Sequence, residues 1–166
     1  MQVSTPDILR RSVVSGSIAG LGVMATAAAA GRRETGSWAD PFNGTSHILW
    51  GDRAAHVHGM SAPHTLPGLL LTHASAVFWA VLYEQFFGSR RDAANAVPSL
   101  WRPVLGGAAI ASLAYVTDYH LVPRRFTPGY EKRVSAKSLA TIFGALALGL
   151  AARDFFLAAR SRSRHS

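Results

Sequence analysis

Charged residues are distributed unevenly along the chain, and the uncharged intervals between them have the length of membrane-crossing helices. The clearest interval, 12–31, holds 20 consecutive residues without a charge. A helix needs about 20 residues to cross about 30 Å of hydrocarbon. A second apolar interval covers about 66–87, where Pro67 suits a first helical turn and Glu84 lies near the exit. These two segments predict two membrane spans.

Two further segments, 103–122 and 138–159, predict a third and a fourth span, but ionisable residues interrupt them. Their uncharged cores are 15 residues each, which corresponds to about 22 Å of helix. They reach spanning length only if Asp118 and His120, or Arg153 and Asp154, lie at the membrane interface or face inward. The pattern therefore predicts an all-α integral membrane protein, a single domain built as a four-helix bundle.

The first loop, 31–65, is long enough to hold structure of its own. Asp40 and Pro41 suit the start of a helix, because an aspartate can cap it and a proline fits its first turn. Ile48 and Trp50 add apolar surface. We expect a short helix that lies in the membrane interface.

Composition supports a membrane protein and leaves two alternatives open. Only 16% of the residues are charged, against about 25% in soluble domains. A soluble alanine-rich bundle remains possible because the mean hydropathy is only +0.16, yet none of the four segments shows the charged stripe of a soluble helix. Arg10, Arg11 and the alanines at 27–30 also resemble a cleaved signal peptide. We favour a retained helix.

The net charge of +8 is spread over both predicted membrane faces. If the termini share one face, that face carries nine cations and the other eight, so the positive-inside rule barely separates the orientations. The basic C-terminal tail favours cytoplasmic termini, and no basic helix with interleaved aromatics indicates nucleic-acid binding. Two basic groups are candidates for binding anionic lipids or an acidic partner surface: Arg124, Arg125, Lys132, Arg133 and Lys137 in the third loop, and Arg160, Arg162 and Arg164 in the tail.

Small residues line one face of two of the predicted spans. Gly16 and Gly20 form a small-xxx-small pair in the first span, which predicts close approach of another helix backbone. In the third span Gly107 and Ala111 share a stripe with Asp118. Such faces are typical of helices that pack within a bundle, in a homo-oligomer or in a larger membrane complex.

Four ionisable residues inside the spans are candidates for intramembrane polar pairs. If the second and fourth spans run in the same direction, Glu84 and Arg153 emerge at one face. His73 and Asp118 then lie near the other face. We expect one structural pair at each end, because buried ionisable groups need partners whatever the function. A proton relay through the same residues is the alternative.

The sequence offers no catalytic constellation and no strong cofactor site. Cysteine is absent, which excludes disulfides and thiolate metal sites. His56 and His58 are weak candidates for a metal site, since the spacing of a helical HxxxH zinc motif is missing. Haem would need two well-placed intramembrane histidines, and only His73 lies securely inside a span. We therefore expect no cofactor.

A pattern in the second half of the chain suggests a relationship. It begins with His73-Ala-Ser-x-x-Phe-Trp-Ala-x-x-Tyr-Glu84 and a third span rich in glycine and alanine. Asp118-Tyr-His and Thr127-Pro-Gly-Tyr-Glu131 follow. Over about 66–131 the chain resembles small four-helix inner-membrane proteins of bacteria, broadly YagU-like. The resemblance implies a helical bacterial inner-membrane protein and supplies no catalytic residues.

Three hypotheses of function follow from these patterns. The first is an integral membrane protein without a catalytic site, acting as a small accessory or self-associating subunit. The second is a transporter or proton-coupled module that uses His73, Asp118 and Glu84 as internal titrating groups. The third is a metal- or haem-binding membrane protein.

Overall fold

The computed structural model describes residues 5–88 and 101–162, and within these ranges the chain is helical without any strand. Six helices follow one another: α1 (Thr5–Thr35), α2 (Asp40–Thr45), α3 (His47–Trp50), α4 (Ala62–Phe86), α5 (Trp101–Val116) and α6 (Ala136–Arg162). A π-helical turn, Thr117–Leu121, continues α5 directly. Short 3-10 turns occur at Asp52–His56, Arg124–Phe126 and Tyr130–Lys132.

Three of the helices are long and apolar enough to cross a membrane: Thr5–Thr35, Ala62–Phe86 and Ala136–Leu157. They contain most of the first, second and fourth predicted spans. The prediction of an all-helical protein is thus confirmed for the described residues, with three helices that could cross a membrane by length and composition. The third predicted span falls on α5 and the π-helical turn. Within the described residues α5 has 16 residues, about 24 Å of helix, which is shorter than a membrane span.

Helix α1 occupies the middle of the bundle, packed between α4 and α6, while α6 also packs against α5. A methyl group at Gly16 of α1 would lie 2.5 Å from Cα of Val77, and one at Gly149 of α6 would collide with the Ala19 backbone. Gly20 lies against the ring of His73. The predicted close approach at Gly16 and Gly20 is therefore confirmed. We call these contacts of α1 with α4 and α6 the α1 seam.

Helix α4 begins earlier than the sequence predicted. It starts at Ala62 with Pro63 in its first turn, so Pro67 lies inside the helix. Proline has no backbone N–H and leaves the carbonyl four residues earlier without its helical donor. Trp50 Nε1 donates a hydrogen bond to this Pro63 oxygen at 3.0 Å. Pro67 thus leaves the Pro63 carbonyl free to bind Trp50 of the first loop.

Residues 36–61 and 122–135 form a cap over the helix ends opposite the termini. Every residue of α2 is buried, and α2 packs against α4, so it is not the interfacial helix that the sequence predicted. Pro41 lies in its first turn as expected, but its N-cap is Ala39 and no side chain caps it. The Asp40 carboxylate does not cap the helix because it bonds to groups elsewhere in the cap. Exposed apolar surface comes instead from Leu49 and Trp50 of α3.

Candidate functional site

A polar cluster joins α1, α4 and α6 at the end of the bundle that holds the termini. Arg153 Nη1 lies 3.4 Å from Glu84 Oε1 and 3.0 Å from Asp154 Oδ1. Ser15 donates a hydrogen bond to the same Glu84 oxygen, and the Tyr83 hydroxyl donates to Asp154 at 3.4 Å. The structure therefore brings Glu84 and Arg153 together and adds Asp154, which the sequence analysis did not place in the pair.

This cluster has the character of a structural ion pair. The Glu84 and Asp154 side chains are both fully buried, whereas that of Arg153 is 20% exposed. Among the described residues no hydrogen-bond partner reaches the second Glu84 oxygen, Oε2, which is buried. Buried carboxylates need partners nearby. Arg153 is such a partner for both carboxylates, and its contact with Glu84 links α6 to α4.

The expected pair of His73 and Asp118 does not form. His73 Nε2 lies 3.5 Å from Ser17 Oγ, so the ring faces α1. Asp118 lines a cavity together with Ser75 of α4. His73 and Ser75 are two residues apart, which places them about 200° apart around a helix. Glu84 lies a further 11 residues along α4 from His73, about 16 Å away. His73, Asp118 and Glu84 therefore do not form one direct hydrogen-bonded chain in the described structure.

A cavity of about 350 Å³ lies beneath the cap, walled by α4 and α6. We call it the Asp118 cavity, because the π-helical turn after α5 presents Asp118 at its wall. Most of the lining is apolar, including Trp79, Ile142 and Leu146. Polar lining within the described chain comes from Asp118, Thr45, Thr72, Ser75 and Tyr130. Helical turns of the π type are frequent at functional sites, and here one delivers the single carboxylate of the lining.

Two features determine what the Asp118 cavity can bind. The Tyr130 hydroxyl lies 2.8 Å from Thr72 Oγ1, and burial raises the pKa of Tyr130 to about 12, so this hydroxyl remains neutral. Phe78 is 59% exposed and Phe126 is 55% exposed at the cavity rim. The cavity is thus open at its side.

Asp40 anchors the cap. It is fully buried, and its Oδ1 accepts a hydrogen bond from the Gly59 N–H at 2.8 Å. Its Oδ2 lies 2.8 Å from His58 Nδ1 and forms an ion pair with Arg133. Burial opposes ionisation, but the hydrogen bonds from Gly59, His58 and Arg133 outweigh it, so the pKa of Asp40 lies below its usual value.

Asn43 completes the hydrogen-bond network of the cap. Its Nδ2 donates to the carbonyl oxygens of Val57 at 2.9 Å and Gly59 at 2.8 Å. Its Oδ1 accepts a hydrogen bond from the Thr65 hydroxyl at 2.7 Å. Buried polar side chains that find partners, as Asn43 does, make a fold rigid and specific. We interpret this network as structural.

The basic residues of the third loop do not act alike. Arg133 is 13% exposed and pairs with Asp40, and Lys132 pairs with Asp52. The expectation that Arg133 faces lipid or a partner is therefore wrong, because a buried carboxylate within the cap holds it. Exposed positions on the surface are Arg124, Arg125, Lys137 and Arg160. Arg162 ends α6, and Arg164 lies outside the described residues.

The two histidines considered for a metal site differ in their contacts. His58 Nδ1 lies 2.8 Å from the Asp40 carboxylate, and both histidines are exposed. Over residues 5–88 and 101–162, no group of three or more His, Cys, Asp or Glu side chains could hold a metal ion.

Sequence reasoning missed the residues that build the cap. Asp40 before Pro41 indicated a helix start. That pattern gave no indication that Asp40 pairs with Arg133, 93 positions away. No local pattern around Asn43 indicated its role in the cap, since its partners lie 14 to 22 positions along the chain. Asp154 could have been found, because it lies next to Arg153 inside an otherwise apolar segment.

Comparisons with protein-family models, with curated proteins and with solved structures give no match for this chain. The resemblance over 66–131 therefore remains a prediction. The interpretation of the sites depends on their geometry.

Proposed function

We propose that the protein is an integral membrane bundle of four crossing helices that binds a small amphiphilic molecule in the Asp118 cavity. One observation carries the proposal: a carboxylate on a π-helical turn lines a largely apolar cavity of about 350 Å³. Ligand sites are typically apolar pockets of this size class with a few placed polar groups. A cationic or hydrogen-bond-donating head group would meet Asp118, and its chain would lie along the apolar wall.

The fourth crossing helix in this proposal is α5 together with its π-helical turn. The two are continuous over 101–121, about 30 Å of helix. Gly107 supports an inner position for this segment, because a methyl group there would collide with the Ala147 carbonyl of α6. The central position of α1 between α4 and α6 supports a retained first helix over a cleaved signal peptide.

The ligand would reach the cavity from the lipid. Ala74, Ser75 and Phe78 form an exposed face of α4 at the cavity, and no helix covers this face within the described chain. Side access of this kind suits an amphiphile that is already dissolved in the bilayer. We place the protein in a bacterial inner membrane with cytoplasmic termini, supported by the resemblance over 66–131 and by the arginines at the terminal end.

The other hypotheses gain less from the geometry. Gly16 and Gly20, the glycines that indicated self-association, already pack against α4 within one chain. They therefore offer no face to a second copy. A role as an accessory subunit remains a hypothesis of the sequence. A proton-coupled module would share Asp118 with our proposal, but it would have to work without a relay through His73 and Glu84.

A quenching experiment tests the proposal, because Trp79 lines the cavity. The protein is placed in nanodiscs of zwitterionic lipid and titrated with dodecylamine brominated along its chain. We expect saturable quenching of Trp79 fluorescence. Asp118→Asn should weaken binding by at least about tenfold, since it removes the charge that pairs with the amine.

Three controls make the result specific. Trp79→Phe should remove the saturable component of the quenching. Asp52→Asn removes an 82%-exposed carboxylate at the same end of the bundle and should change affinity by less than about twofold. A brominated dodecyl sulfate should not saturate. Equal binding of amine and sulfate, or an unchanged affinity in Asp118→Asn, would overturn the proposal.

A further inference from the structure

A second concave surface lies at the opposite end of the molecule, between the first turns of α1 and the last turns of α6. It encloses about 390 Å³. We call it the arginine groove, and its lining is Arg10, Arg11, Val14, Ile18, Arg153, Phe156, Leu157 and Arg160. Among the described residues, four guanidinium groups line it and no carboxylate does. Both helices that form it are apolar enough to cross a membrane.

The four arginines of the groove differ in their exposure. Arg153 already holds the buried carboxylates of Glu84 and Asp154, and it forms the floor of the groove. Arg10 and Arg160 are exposed on its two rims. Arginine suits a phosphate group because its planar fork can donate two parallel hydrogen bonds. The two exposed basic rims therefore border a space that suits one anionic head group.

The apolar part of the groove continues from the charged part towards the bilayer. Ser15 of α1 and Arg153 of α6 both bond to Glu84, and further into the bundle Ala19 of α1 packs against Gly149 of α6. Along α1, Val14 and Ile18 therefore lie deeper in the bundle than Arg10. Val14 is 46% and Ile18 is 40% exposed. On the other side Phe156 is 66% exposed. An acyl chain that descends from a phosphate at the rim would lie along this wall.

We propose that the arginine groove binds one anionic phospholipid. Its phosphate lies between Arg10 and Arg160, and its acyl chain follows Val14 and Ile18. Basic pockets between membrane helices are suited to anionic lipid head groups, and the charge of this groove opposes that of the phosphate. The site is separate from the Asp118 cavity and does not depend on what that cavity binds.

Native mass spectrometry of the detergent-solubilised protein tests this site, with phosphatidylglycerol as the probe and phosphatidylcholine of the same chains as its neutral match. We expect one phosphatidylglycerol to remain bound where phosphatidylcholine dissociates. The double variant Arg10→Gln/Arg160→Gln should bind phosphatidylglycerol about 30-fold more weakly, because each basic residue near an anionic lipid contributes about fivefold.

The control is the double variant Arg124→Gln/Arg125→Gln, which loses the same charge from exposed positions in the cap. It should retain the lipid. If both double variants lose it equally, binding follows net charge and the proposal is wrong. The proposal is also wrong if the unmodified protein retains both lipids alike.

Two further arms separate a lipid from a free phosphate. An excess of inorganic phosphate should not displace phosphatidylglycerol, because the acyl chain contributes to binding; full displacement would contradict a lipid site. The variant Val14→Trp/Ile18→Trp keeps all four arginines and fills the apolar wall from an exposed surface. It should lose the lipid while its thermal unfolding stays unchanged, whereas retention of the lipid would contradict the proposed path of the chain.

Discussion

Helix α4 meets the rest of the bundle differently on its two sides. Towards α1, Gly16 lies against the backbone of Val77, and His73 packs beside Gly20. Towards α6, direct contacts are few, and the Asp118 cavity occupies the space beside Ser75 and Phe78. The same helix therefore takes part in a close-packed contact on one side and borders a cavity on the other.

The difference follows from the residues that face each other. In the α1 seam at least one partner is glycine or alanine, so two backbones can approach closely and many weak contacts accumulate. Beside the cavity, bulky side chains such as Trp79 and Phe143 hold the helices apart. We infer that the α1 seam provides stability and that the cavity side is available for binding. Substitutions can separate the two roles.

The largest expected effect comes from forcing the α1 seam apart. Gly149→Leu pushes a side chain into the Ala19 backbone and should destabilise the protein by about 3 kcal/mol or more. Thermal unfolding in detergent measures the loss.

Gly144 of the same helix is the matched control, because nothing lies within 4 Å of a methyl group placed there. Gly144→Leu should change stability by less than about 0.5 kcal/mol. Equal destabilisation by the two substitutions would mean that the close contact at Gly149 does not stabilise the bundle.

A somewhat smaller and pH-dependent effect is expected in the cap, which roofs the cavity but lies outside the α1 seam. Asp40→Asn leaves Arg133 without its buried partner and should cost about 3 kcal/mol at neutral pH. Because the pKa of Asp40 is lowered in the folded protein, the stabilisation is complete above the unfolded value of about 3.9. It is lost as the pH falls through the lower folded pKa.

Unfolding of both proteins at pH 6 and at pH 3 checks this prediction. The difference between Asp40→Asn and the unmodified protein should shrink at the lower pH. Asp52→Asn, at an exposed carboxylate of the same cap, should show little difference at either pH. A stability gap for Asp40→Asn that stays constant with pH would exclude the buried ion pair as its source.

Sequence patterns predicted the helices far better than the cavity. Uncharged stretches of sequence locate long helices because the bilayer imposes their length. The small-xxx-small spacing located the contacts of Gly16 and Gly20 because close approach of two helices requires small residues. These are local constraints of composition. The position of Glu84 against Arg153 followed as well, since α4 and α6 run in the same direction and both residues lie near the C-terminal ends of their helices.

The cavity and the cap depend on contacts that no local pattern records. Asp118 lines the cavity because a π-helical turn ends α5, and nothing in its spacing predicted that turn. Thr72 and Tyr130 meet across 58 positions. His73 was assigned to Asp118 by depth in the membrane alone. Its actual neighbour is α1, since rotation around the helix axis, and not depth, decides which helix a side chain meets.

The smallest stability effect is expected from a matched pair of alanine substitutions, one on each side of α4. Ala80 is fully buried in the core, whereas Ala74 is exposed beside the Asp118 cavity. Ala80→Leu should cost about 2 kcal/mol through overpacking. Ala74→Leu should leave unfolding unchanged to within about 0.5 kcal/mol, yet weaken binding of the brominated amine by narrowing the cavity mouth. If Ala74→Leu destabilised the protein as much as Ala80→Leu, both sides of α4 would be close-packed, and the space assigned to a ligand would already be filled by the protein.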